Sequence, residues 1–255
     1  MPPSYVYTLG RIEPRFPRLS VEKEFAQATG RAETVNLTDR QALRKVLQDN
    51  RYLVRQFCWV MMVGGLETYI LAPRDPTDFQ LLVESVRRNP RPGDVDLVVG
   101  MRGPMATPEI CNGLIVPVVA FDQIYSFDRD SLIDSIPRPE KEPAERFKET
   151  AGEVLDRIMQ LSDNAGAMAE HRALNYLVVR YPAIYVAVAD AHGRNFSISA
   201  VDVRPSALSG VRNIVEVIFS FTNRTTDVVE KQFVRVDVTE EFPFLVSRIA
   251  PYLER

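Results

Sequence analysis

Two-residue alternation over residues 214–238 limits what the C-terminal half of this chain can become. Val215, Val217, Phe219 and Phe221 share one parity, and Glu216, Ser220 and Thr222 take the other. Successive side chains of a strand point to opposite faces, so this run lays an apolar face on a core. Asn223-Arg224-Thr225-Thr226-Asp227 then reads as a turn, because Asn and Asp side chains bond their own backbone two residues on. The next run alternates again, with Val228, Val234, Val236 and Val238 against Lys231, Arg235 and Asp237. Upstream, Phe196 to Arg204 breaks parity, with Ile198 and Ala200 on one and Val201 and Val203 on the other, which predicts a bulge or two-sided burial. The three runs predict an antiparallel meander. Thr239-Glu240-Glu241 predicts the start of a C-terminal helix, since acids are favoured in a first turn.

Elsewhere the period is mostly helical. Thr38 followed three residues later by Gln41 is a capping box ahead of Leu43, Val46 and Leu47. Asp75-Pro76 opens a second helix lined by Phe79, Leu82, Val83 and Val86. Phe147, Ala151, Val154, Leu155 and Ile158 mark a third, and Leu174 to Tyr185 a fourth that Pro182 must kink or restart. Ser20 to Ala28 forms a short helix closed by Gly30. Tyr5 to Gly10 is a short strand, and Arg11 to Arg18, with Pro14 and Pro17, is extended but irregular. Leu53 to Val63, Gly64-Gly65 and Leu66 to Leu71 read as a hairpin. Further strands fall at Val95 to Val99, Leu114 to Ala120 and Ile124 to Phe127. The class is α+β, antiparallel hairpins and a meander packed with amphipathic helices. Pro137, Pro139 and Pro143 mark a boundary between a β-rich half, 1–136, and a half, 137–255, of two long helices, the meander and a C-terminal helix, packed as one compact unit or two close halves.

A net charge of −3 argues against a dedicated nucleic-acid binder, because phosphate binding needs a basic footprint. No run approaches the roughly 20 apolar residues of a membrane span, and Met1-Pro2-Pro3 lacks the basic and apolar regions of a signal peptide. Two distant cysteines fit a reduced, cytoplasmic protein better than a disulfide scaffold. Only five of 31 basic residues are lysine, so 26 arginines dominate the cations. Planar guanidinium forks suit carboxylate or phosphate, although genomic bias produces the same count.

Catalytic motifs are missing. His171 and His192 are the two histidines, and no Gly-x-Ser-x-Gly elbow accompanies them. Gly100-x-x-Gly103 follows a strand, but Pro104 removes an amide a phosphate cradle would use, so a tight turn is expected there. Cys58, Cys111 and His171 are the candidate metal ligands, for a structural zinc or for a metal-assisted peptide-modifying enzyme, although no Cys-x-x-Cys pair supports them. Asp122, Asp128 and Asp130 flank Phe121, Tyr125 and Phe127, where helix capping competes with general acid–base work. Arg11, Arg15 and Phe16 are the candidate peptide-binding residues, on an extended segment suited either to strand addition or to covering a sheet edge of its own.

Tyr5-Val6-Tyr7-Thr8-Leu9-Gly10-Arg11-Ile12-Glu13-Pro14-Arg15-Phe16-Pro17 resembles the opening of the C-terminal domain of PatA/PatG-type cyanobactin maturation proteins. Glu22 to Arg31, Val118 to Phe127 and Arg235 to Phe244 resemble the same domain, a domain of unknown function that follows a subtilisin-like protease. The resemblance implies a stand-alone relative or an excised piece. It implies no protease, macrocyclase or oxidase activity, because those motifs are absent from this chain. The expected role is a non-catalytic accessory module in ribosomal peptide maturation that binds precursor peptide, maturation protease or a second copy of itself as a homo-oligomer.

Overall fold

The computed structural model describes residues 4–31, 38–138, 143–159 and 164–253. The chain divides into two compact units, residues 1–128 and 129–255. In the first, β1 (Tyr5–Arg15) is followed by α1 (Leu19–Arg31), α2 (Asp39–Asp49) and α3 (Arg51–Val54). Next come β2 (Cys58–Val63), β3 (Leu66–Pro73), a 3-10 turn at Pro76–Asp78 and α4 (Phe79–Ser85). β4 (Asp94–Met105) and β5 (Pro117–Asp128) complete the unit. The five strands close into a barrel in the order β1-β2-β3-β5-β4, antiparallel throughout except where β3 meets β5.

Local chemistry places many of these elements. Thr38 accepts the Gln41 amide while the Gln41 side chain accepts the Thr38 amide, closing the capping box that starts α2. The β2–β3 turn is Gly64-Gly65 with φ of 57° and 83°, the doubly left-handed turn that matches strand twist. Trp59, Met61, Leu97 and Phe121 are among the largest fully buried side chains, and the Trp59 indole N–H donates to the Val54 carbonyl at 2.9 Å.

Three sequence expectations are corrected here. Residues 11–15 are regular strand, because Pro14 stands where β2 needs no donor. Ile12, two residues earlier on the same side, sends its amide to the Asp96 carboxylate at 2.9 Å. Leu53 and Val54 belong to α3 rather than to the hairpin, which begins at Cys58; a short apolar run does not distinguish helix from strand by period. Gly100 to Pro104 is no turn, since β4 runs through it to Met105. A Cβ on Gly100 would lie 2.6 Å from Phe121 Cα and nearer still to the Ala120 carbonyl oxygen, so the glycine serves close strand approach.

The second unit carries α5 (Arg129–Asp134), α6 (Ala144–Met159), α7 (Ala169–Arg180) and α8 (Ala183–Gly193). β6 (Phe196–Pro205), β7 (Ile214–Asn223), β8 (Val229–Asp237) and β9 (Phe244–Pro251) form a sheet in chain order. Pro182 separates α7 from α8, as its missing amide requires. The broken parity in β6 is a register shift between Ile198 and Ala200. Val215, Val217, Phe219 and Phe221 are buried, and so are Glu216, Ile218 and Ser220 on the opposite parity. The architecture is α+β, as the sequence predicts.

The expected C-terminal helix is a fourth strand. Asp237 accepts both the amide and the hydroxyl of Thr239, which turns the chain after β8. The buried Arg172 of α7 donates to the carbonyls of Val238 at 2.7 Å and Glu241 at 3.1 Å, and also to that of Glu240, oxygens a helix would direct to its own amides. Pro243 disfavours helical backbone at Phe242, and the chain emerges extended as β9.

Candidate functional site

An open groove of the first unit crosses β2, β3 and β5, with a volume of about 510 Å³. Cys58 and Trp59 enter it from β2, Ile70 and Ala72 from β3, and Val118 from β5. The β1–β2 connection walls one side with Pro17, Arg18, Arg55 and Phe57; the β4–β5 loop contributes Glu109 and Ile110. An adjoining hollow of about 260 Å³ shares Arg55 and Phe79 with the groove and adds Arg51 and Val83. The Arg55 guanidinium lies 5.7 Å over the Phe79 ring, a cation–π stack common to both volumes.

A disulfide between Cys58 and Cys111 anchors the β4–β5 loop beside the groove, with the Cα atoms 5.5 Å apart. Val60, Ile70 and Ala106 bury the bridge. Thus the two cysteines are not the free thiols expected of a reduced chain. The spacing misled because residues 53 apart in sequence meet only through barrel closure. As a bridge they offer no thiolate to a metal, and His171 lies on α7 in the second unit. Among the described residues no cluster of three or more His, Cys, Asp or Glu has metal-binding geometry.

The proposed peptide contacts are all engaged within the first unit. Arg11 donates to the carbonyls of Asp94 at 3.3 Å and of Pro92, clamping the loop before β4. Arg15 pairs with Glu67 across the barrel wall. Phe16 packs on Phe57 at 5.0 Å and Phe25 at 5.4 Å between ring centroids. Strand addition along residues 12–14 lacks donors, because the Ile12 amide is taken by Asp96 and Pro14 has none. Asp96 also accepts from Ser126 and pairs with Arg87 at 3.0 Å. Asp122 pairs with Arg74 at 2.6 Å, Asp128 ends β5 and Asp130 occupies the first turn of α5. His192 accepts from Arg146 at 3.1 Å. Sequence reasoning missed Arg18, Arg51, Arg55 and Ile110. The available signal was Arg51 and Arg55, four apart with no acid between them, just ahead of the chain's one tryptophan.

Two buried carboxylates of the second unit, Glu216 and Asp237, are paired with arginines. Arg204, Glu216, Arg235 and Ser247 stand in register across four strands. Burial opposes the charged form of Glu216, but hydrogen bonds from Arg235 and Arg204 and their charge outweigh it and hold the carboxyl below its ordinary value. Burial likewise opposes Asp237, and the Thr239 hydroxyl and amide together with Arg212 lower it. At the outer edge of β9, the Ile249 amide donates to Tyr181 Oη at 3.0 Å and the Leu245 amide bonds Tyr176, whose pKa burial nevertheless raises. Two tyrosines thereby occupy two amides of the β9 edge strand.

This barrel has the strand order and the single parallel pair of an OB-type barrel, a class in which the β2–β3 face and flanking β1–β2 and β4–β5 loops hold oligonucleotides and oligosaccharides. The groove occupies that position. Residues 141–252 match the family model described as PatG C-terminal, so most of the second unit carries that family's pattern. The whole chain is similar to a solved structure described as a PatG domain of unknown function, with a TM-score of 0.79, 19% identity and 98% of each chain covered. At that identity the likeness speaks for the fold. No curated protein matches the sequence. The resemblance seen in the sequence is borne out by both findings.

Proposed function

We propose that this chain is a non-catalytic accessory module of ribosomal peptide maturation, of the cyanobactin-associated kind, and that it binds a partner polypeptide, either the precursor peptide or a maturation enzyme. The observation that carries the reading is the groove over β2 and β3, open, lined largely by apolar side chains and walled by a covalently anchored loop. The match of residues 141–252 to the PatG C-terminal model supports the biological setting. The ionised, arginine-paired state of Glu216 and Asp237 suits a scaffold rather than an acid–base centre, which needs a pKa near neutrality. Isothermal titration with the cognate precursor peptide and with each maturation enzyme tests the role. Saturable association with one of them is expected, and absence of association with all of them would sink it. Sedimentation over a dilution series separates partner binding from self-association.

A further inference from the structure

The groove on the first unit carries an unbalanced charge. Arg18, Arg51 and Arg55 are exposed on its walls and on those of the adjoining hollow, and Glu109 is the one acid lining them among the described residues. None of the three arginines has an ion-pair partner among the described residues. Asp75, next to the hollow, is occupied by the amide and hydroxyl of Thr77 at 2.8 Å each. Unpaired guanidinium groups beside an apolar floor favour carboxylates that arrive with apolar neighbours.

The aromatic content argues for peptide over nucleic acid. Single-stranded nucleic acid binds by stacking bases on open ring faces. Trp59 is only 1% exposed and Phe57 7%, while Arg55 already lies over Phe79. What the groove offers is aliphatic: Ile110, 47% exposed on the anchored loop, and the half-buried Val118.

We infer that the groove holds an extended acidic segment of a partner polypeptide, its carboxylates on Arg18, Arg51 and Arg55 and its aliphatic side chains against Ile110 and Val118; this rests on the binding role proposed above. Arg55 is common to the groove and the hollow. The disulfide holds Ile110 in place before the ligand arrives, which lowers the ordering cost of binding.

Trp59, the only tryptophan, lines the groove and gives an intrinsic fluorescence readout. The probes are a short synthetic peptide alternating Glu with Leu, its Lys–Leu counterpart, and oligothymidylate. The Glu–Leu peptide is expected to bind and perturb Trp59 emission, with affinity falling as salt rises. Arg18→Glu/Arg55→Glu should weaken it by at least about tenfold. Ile110→Glu, on a separate wall, should weaken it comparably while leaving all three arginines in place. Equal or tighter binding of the Lys–Leu peptide or oligothymidylate, or undiminished Glu–Leu binding by both variants, would overturn the inference. If the precursor or an enzyme binds the double variant as tightly as the parent, the acidic groove fails while the accessory role stands.

Discussion

Reducing the Cys58–Cys111 bridge should weaken the first unit by about 4 kcal/mol. The linked residues are 53 apart. Closing a loop of that size removes about 14 cal/mol/K from the unfolded chain, or about 4 kcal/mol at 25 °C. The folded state should survive reduction, because both sulfurs are buried with Val60, Ile70 and Ala106, where free thiols pack as small apolar groups. The loss therefore acts through the unfolded ensemble, and about 4 kcal/mol is its upper end. Urea titration followed by Trp59 emission, with and without reductant, measures it. At a slope of about 2 kcal/mol/M, the midpoint should fall by about 2 M. Circular dichroism of the whole chain, recorded alongside, reports both units, of which the second contains no cysteine. A Cys58→Ala/Cys111→Ala variant should reproduce the shift and no longer respond to reductant. Two titratable thiols in the denatured, unreduced protein, or a midpoint indifferent to reductant, would refute the reasoning.

Other consequences follow from the same contacts. Glu216→Gln should cost about 1–3 kcal/mol, because a charge-assisted network becomes neutral at a buried position; chemical denaturation at neutral pH measures it. The folded-state pKa values of Glu216 and Asp237 lie below their unfolded values, so their stabilisation is complete above the ordinary carboxylate range and is lost as pH falls below about 4. Denaturant midpoints across acid pH should show that loss, with a shallower slope in Glu216→Gln. Gly100→Ala should destabilise the barrel by at least about 2 kcal/mol, since the new methyl meets backbone atoms of β5 that cannot rotate away; the thermal midpoint reports it. Tyr181→Phe with Tyr176→Phe should cost about 1 kcal/mol per lost bond and uncover the β9 edge, with aggregation on mild heating visible by light scattering.

Legibility in this sequence tracks the chain distance over which a feature is decided. The Thr38–Gln41 capping box, the Gly64-Gly65 turn, the Pro182 break and the β6 bulge each depend on a few neighbouring residues, and all four were readable. The expected C-terminal helix does not form because the carbonyls of Val238, Glu240 and Glu241 are held by Arg172, more than 60 residues upstream. The local acidic pattern was real, but a buried guanidinium collecting three carbonyls decides against helix. The disulfide failed for the same reason, since barrel closure rather than spacing brings Cys58 to Cys111. Arg11, Arg15 and Phe16 stood out as an unusual cluster, yet barrel geometry turns them toward their own loop, Glu67 and Phe57. The groove draws on Arg18 beyond β1, Arg55 after α3, Ile70 on β3 and Ile110 on the β4–β5 loop, segments with no common sequence pattern. A surface assembled this way has no motif, and its chemistry becomes visible only when unpaired arginines are placed beside aliphatic side chains.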